Sequence, residues 1–195
     1  MERLLNQFKN GFKIKNALSN LYLYLEEIKS SEAKNVYRIG IGSIPDSKKS
    51  TWKLKQGENG YLYISSTTIQ GEELFLTVTE DNNIEPKKFT EENNQKFYIQ
   101  YKEKGIYLIK SRISKNKFGL ELENNKIGIN NKLKQGPING SPEQNWIFEA
   151  IEDKTKTNKL KAANVNNNMN EKSEKVMKTI IYKDDELVHT VVFVK

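Results

Sequence analysis

Asn59-Gly60-Tyr61-Leu62-Tyr63-Ile64 opens a pattern that the chain uses three times. Upstream the same opening reads Asn10-Gly11-Phe12-Lys13-Ile14, and downstream it reads Lys104-Gly105-Ile106-Tyr107-Leu108-Ile109. Each is a glycine followed by aromatic and β-branched residues, the composition of a short strand. A polar turn and a second such run follow: Leu21–Leu25, Leu74–Val78 and Phe118–Leu122. Each segment then closes on an aromatic strand, Trp52-Lys53-Leu54, Phe97-Tyr98-Ile99 or Trp146-Ile147-Phe148. The opening glycines step by 49 and 45 residues, and the closing aromatics by 45 and 49. A period of that length marks supersecondary units that bury their apolar faces only against one another.

Three near-equal units of four short strands predict an all-β fold, a β-trefoil over residues 1–151. Trp52, Phe97 and Trp146 are its predicted structural core, one plug from each unit. Helix is expected only at 2–9 and briefly at 30–36. Composition changes after Ile151. Residues 152–175, EDKTKTNKLKAANVNNNMNEKSEK, carry scattered apolar residues and no aromatic ring. Such a segment buries too little surface to offset its ordering entropy, so a flexible, disordered linker is expected. Residues 176–195, VMKTIIYKDDELVHTVVFVK, place two β-branched runs around Lys183-Asp184-Asp185-Glu186, the pattern of a C-terminal β-hairpin. A lone hairpin is marginal in water, and the Pro-free run Val188–Val194 would be an aggregation hazard if exposed. The strand is therefore expected to be covered, by the barrel, by self-association with a second copy, or by a following domain.

Charge and composition exclude several function classes. The 195 residues hold 32 Lys and Arg against 25 Asp and Glu, a formal charge of +7. Acids are interspersed among the lysines, the pattern of a solvated surface, and this argues against nucleic acid as a partner. The absence of cysteine removes disulfides, thiol catalysis and thiolate metal sites. His189 is the single histidine, too few for a His metal cluster or a Ser–His pair. No cofactor, no metal and no enzymatic activity are expected. The mean hydropathy is −0.75, and no apolar stretch approaches the roughly 20 residues of a transmembrane span. The N-terminal residues lack the apolar core of a signal peptide, so a cytoplasmic location is expected, with leaderless release or a processed secreted form left open.

The closing strands share a frame. Gln144-Asn145-Trp146 is a Gln-x-Trp, Gln95-Lys96-Phe97 is its Phe variant, and Ser50-Thr51-Trp52 keeps the aromatic. Over residues 10–150 the chain resembles the ricin-type (QxW) β-trefoil lectin-like family. That resemblance implies shallow sugar pockets, each built from an acid in the second strand, an aromatic platform, and Asn immediately before the Gln. In the first unit Tyr24 holds the acid position and Ser50 replaces the Gln. The second keeps Asn94-Gln95 but has Thr77 at the acid position. The third has Glu121 and Gln144, with Glu143 where Asn is expected. The third unit is the leading candidate, Glu121 and Gln144 being aided by Asn124, Asn125 or Asn139, with Asn94 and Gln95 as the second. The expected function is a non-enzymatic recognition module that binds carbohydrate. The alternative is a protein-binding β-trefoil, such as a protease inhibitor working through exposed loops at 40–46, 80–92 and 132–142, or an assembly module.

Overall fold

A computed structural model describes residues 2–28, 36–43, 49–123 and 132–151, together with the backbone of 177–183 and 186–193. The first unit comprises β1 (Phe12–Asn16), β2 (Tyr22–Ile28), β3 (Val36–Gly42) and β4 (Trp52–Gln56). The second comprises β5 (Leu62–Thr67), β6 (Glu73–Val78), β7 (Ile84–Lys87) and β8 (Phe97–Tyr101). The third comprises β9 (Ile106–Ser111), β10 (Phe118–Leu122), β11 (Leu133–Pro137) and β12 (Trp146–Ala150). The outer strands of each unit pair antiparallel in a closed ring, β1-β4-β5-β8-β9-β12 and back to β1. The inner strands form the hairpins β2–β3, β6–β7 and β10–β11, each joined to the ring through its first strand. The hairpins meet across the barrel mouth, where β7 packs against both β3 and β11. This is a β-trefoil, and closing the ring leaves its strands no free edge.

Register explains why the aromatics recur. Phe12 faces Trp52, Leu62 faces Phe97 and Tyr107 faces Trp146, and all three closing aromatics have zero exposure. These pairs step by 50 and 45 residues, so Gly11 lies one position nearer its strand than Gly60 and Gly105 do. The cause is local. Asn59-Gly60 and Lys104-Gly105 are the tips of two-residue hairpin turns, with φ of 51° and 82° in one and 48° and 78° in the other. Positive φ at both tip positions matches the right-handed twist of the flanking strands. Gly11 instead follows a helix and gives its N–H to Phe8 O at 2.9 Å. That helix, α1 (Glu2–Gln7), lays Phe8 over one end of the barrel, 5.1 Å from Phe12 and 5.7 Å from Phe148 between ring centroids.

Three segments read as loops carry the third strand of each unit. Gly40–Gly42 lies in β3, Ile84–Lys87 is β7, and Leu133–Pro137 is β11. Glycine and proline hid them, because in isolation those residues signal turns. Here Pro86 and Pro137 sit in short cap strands, where the missing N–H is tolerated. The briefly helical reading of 30–36 is corrected at Val36, which begins β3, while 30–35 lie outside the described residues. So do the whole of the proposed linker, Asn124 and Asn125.

The chain divides into two compact units, Met1–Glu152 and Asp153–Lys195. In the second, β13 (Met177–Lys183) and β14 (Glu186–Phe193) pair antiparallel from Met177↔Phe193 to Lys183↔Glu186, with one irregularity between Ile181 and Tyr182. Among the described residues no helix is long and apolar enough to cross a membrane.

Candidate functional site

The two glutamines of the Gln-x-aromatic frame make the same three bonds. Gln144 gives its amide hydrogens to Glu121 Oε2 at 2.7 Å and to Pro137 O at 2.8 Å, and its oxygen accepts from Asn139 N at 3.3 Å. Gln95 donates to Thr77 Oγ1 at 2.9 Å and Lys88 O at 2.8 Å, and accepts from Thr90 N at 2.9 Å. Both side chains are fully buried. Each therefore clips the loop before the closing strand to the second strand of its unit, and each amide is fully used inside the protein. The neighbouring indoles complete the clip. Trp52 Nε1 donates to Leu23 O at 3.0 Å, and Trp146 Nε1 to Leu120 O at 2.9 Å.

What differs between units is the residue one step past that carbonyl: Tyr24, Thr77 or Glu121. The hairpin registers make these equivalent, since Tyr24 faces Gly40, Thr77 faces Glu85 and Glu121 faces Lys134. In the first unit the Tyr24 ring fills the space over Gly40, leaving no room for a β-carbon there. In the third, the Glu121 carboxylate reaches along β11 past the facing Lys134 and lies over Gly136. Its side chain is only 15% exposed, and Lys134 Nζ stands 3.8 Å from Oε1. Thr77 is small, and a groove of about 680 Å³ opens beside it. A large side chain on the second strand thus goes with a glycine on the third, and a small one goes with an open cleft.

The second-unit cleft is lined by Thr77, Gln95 and Asn94, by Asp81, Glu85 and Glu92, and by the half-exposed Ile113. Asn94 Oδ1 is buried and has no hydrogen-bond partner among the described residues. Glu91, between two lining residues, holds a left-handed φ of 61°. Such backbone persists only where surrounding structure enforces it. The cleft thus offers an unused amide oxygen, several carboxylate acceptors and an apolar wall. Among the described residues no three His, Cys, Asp or Glu side chains converge to hold a metal ion.

The site residues expected from sequence fall out as follows. Glu121 and Gln144 touch each other, but Gln144 is an interior clip. Asn139 is exposed, and its oxygen accepts from Ser141 N at 2.9 Å, an Asx turn. Asn94 and Gln95 lie together at the open cleft, Gln95 as its floor. Sequence reading missed Asn16, Ser66 and Ser111, all buried opposite a closing aromatic. Asn16 Nδ2 donates to Glu143 O at 2.9 Å, and Ser66 Oγ to Thr51 O at 2.8 Å, tying down the backbone ahead of each tryptophan. Their shared register, the last inward position of the first strand, was the available signal.

No protein-family model matches the chain, and no curated protein matches it in sequence. Solved structures do match. A designed threefold-symmetric protein, ThreeFoil, superposes with a TM-score of 0.58 at 15% identity, covering 72% of this chain and 98% of its own. The likeness is one of fold. A mosquitocidal holotoxin matches at TM-score 0.60 and 17% identity over 74% of this chain and 17% of the toxin chain. An exo-β-1,3-galactanase from Clostridium thermocellum, 1,3Gal43A, matches at 0.60 and 18% over 72% of this chain and 30% of the enzyme chain. This chain therefore spans less than a third of those two.

Proposed function

We propose that the protein is a recognition module of the ricin-type kind that binds carbohydrate without turning it over, and that the binding cleft lies in its second unit. The observation that carries this reading is the open groove beside Thr77, with the unpaired oxygen of Asn94 in its wall. A sugar presents adjacent hydroxyls on a ring with apolar C–H faces. The groove offers acceptors on Asn94, Asp81, Glu85 and Glu92, and an apolar surface on Ile113, the mixture expected of a small-molecule site. One neighbour in fold belongs to an exo-β-1,3-galactanase chain, of which a module of this size is a minor part, and this agrees with a targeting role. In the first and third units Tyr24 and Glu121 lie over Gly40 and Gly136, where the second unit has the small Thr77. This contrast supports the second unit as the site, rather than the third.

The test is a glycan array probed with the wild type, Asn94→Ala, Asp81→Asn and Glu121→Gln. Binding that falls about tenfold or more in Asn94→Ala and Asp81→Asn, and survives in Glu121→Gln, supports the second-unit cleft. Binding lost only in Glu121→Gln would move the site to the third unit. Retention of no glycan by the wild type would overturn the carbohydrate reading.

A further inference from the structure

A second groove, of about 560 Å³, lies where α1 crosses the barrel end, and it shares no lining residue with the second-unit cleft. From α1 come Arg3 and Gln7, and from β8 come Tyr98 and Tyr101. The two tyrosines are 42% and 58% exposed, unusual for large aromatic residues on barrel strands. Each is braced from behind. Tyr98 meets Tyr61 edge-on at 6.5 Å, and Tyr101 meets the buried Tyr107 at 5.5 Å. Exposed rings held by other rings lose little entropy when a ligand settles on them. The turn tips Gly60 and Gly105 complete the rim, and a β-carbon on either would meet nothing within 4 Å. The groove is therefore open at both tips.

Charge selects the ligand. Arg3 is the one lining side chain that is ionised at neutral pH, and no carboxylate lines the groove. The ion pairs among the described residues engage other cations, leaving the Arg3 guanidinium unpaired. A guanidinium recognises a carboxylate through two parallel hydrogen bonds. Gln7 and the tyrosine hydroxyls add donors and acceptors spread around an aromatic floor. A nucleic-acid strand fits less well, because it needs a run of cations along its phosphates and the groove presents one.

We propose that this barrel-end groove is a separate site for an acidic saccharide, a pyranose bearing a carboxylate, with Arg3 on the acid and Tyr98 and Tyr101 on the C–H face of the ring. Arg3 and Tyr101 are both exposed, so substituting them leaves the core intact.

The experiment is saturation-transfer NMR and titration of the full chain with methyl glucuronide, methyl galacturonide and N-acetylneuraminate, each against a neutral counterpart. The expected result is binding of at least one acidic sugar about tenfold tighter than its neutral counterpart. Arg3→Gln and Tyr101→Ala should each weaken that binding about tenfold, while Asn94→Ala leaves it unchanged. That last control separates the fate of this site from that of the second-unit cleft. Equal binding of neutral and acidic sugars, binding of none of the three acids, or binding untouched by both substitutions would overturn the assignment. Capture of a single-stranded oligonucleotide that competes through Arg3 and Tyr101, with no acidic sugar bound, would overturn it in favour of nucleic acid.

Discussion

At the scale of single residues, the fold depends on polar side chains buried in the seams between strands. Gln95 and Gln144 each make three hydrogen bonds with no exposure, so truncation strands both donors and acceptors. Gln95→Ala should cost about 2–3 kcal/mol, because buried groups left without partners carry a desolvation penalty. Urea unfolding would show it as a lowered midpoint at unchanged slope. Gly136 is the partner of a large neighbour rather than a turn residue. Gly136→Ala drives a methyl group into the Glu121 carboxylate and should destabilise by about 1–3 kcal/mol, as overpacking does. Adding Glu121→Thr, which imitates the second unit, should recover most of that loss. A double-mutant cycle by urea unfolding measures the coupling, and additive effects would refute the steric account.

At the scale of elements, ion pairing stitches the first strand of the barrel to its last. Lys15 on β1 meets Glu149 on β12 at 2.7 Å, and Tyr22 on β2 donates to the same carboxylate at 3.0 Å. Burial pushes the Glu149 carboxyl up, but the hydrogen bonds from Lys15 and Tyr22 overcome it and hold the group below its usual value. A lowered folded-state value gives stability that is present above the ordinary carboxylate range and lost as pH falls through the folded value. Lys15 is raised, chiefly by its bond to Glu149, and Tyr22 is raised, chiefly by burial. Both contributions are therefore lost as pH climbs past 10. Melting curves of wild type and Glu149→Gln should differ most between neutral pH and about 9 and converge in acid, where the carboxylate is protonated. A difference that persisted undiminished at pH 3 would rule the pair out as the cause.

At the scale of the whole molecule, the buried core of the first compact unit runs, among the described residues, from Phe8 to Phe148. The barrel is closed by β12 returning to β1, so no part of its ring awaits completion from beyond Glu152. A chain ending at Glu152 should therefore unfold in one cooperative step, with calorimetric and van't Hoff enthalpies in agreement. Comparing its sedimentation with that of the full chain also tests assembly through the C-terminal strand. An equal association state in both would remove the tail as a cause.

The repeat of glycine-led openings and closing aromatics was enough to predict three units and the three core plugs, because a period is a property of sequence alone. The frame Gln-x-Trp likewise named Gln95 and Gln144, and the need of a buried amide for partners already pointed to their tying down loop backbone. Three things waited on the tertiary structure. The strands β3, β7 and β11 read as loops, since their glycines and prolines answer to neighbours distant in sequence, such as Tyr24 and Glu121. Asn16, Ser66 and Ser111 carried no signal until strand pairing set them opposite buried rings. The groove beside Thr77 was also invisible, because it depends on how far the side chain at that position reaches over the facing strand. Sequence spacing places residues along a strand. Only the pairing of strands decides how much room is left between them.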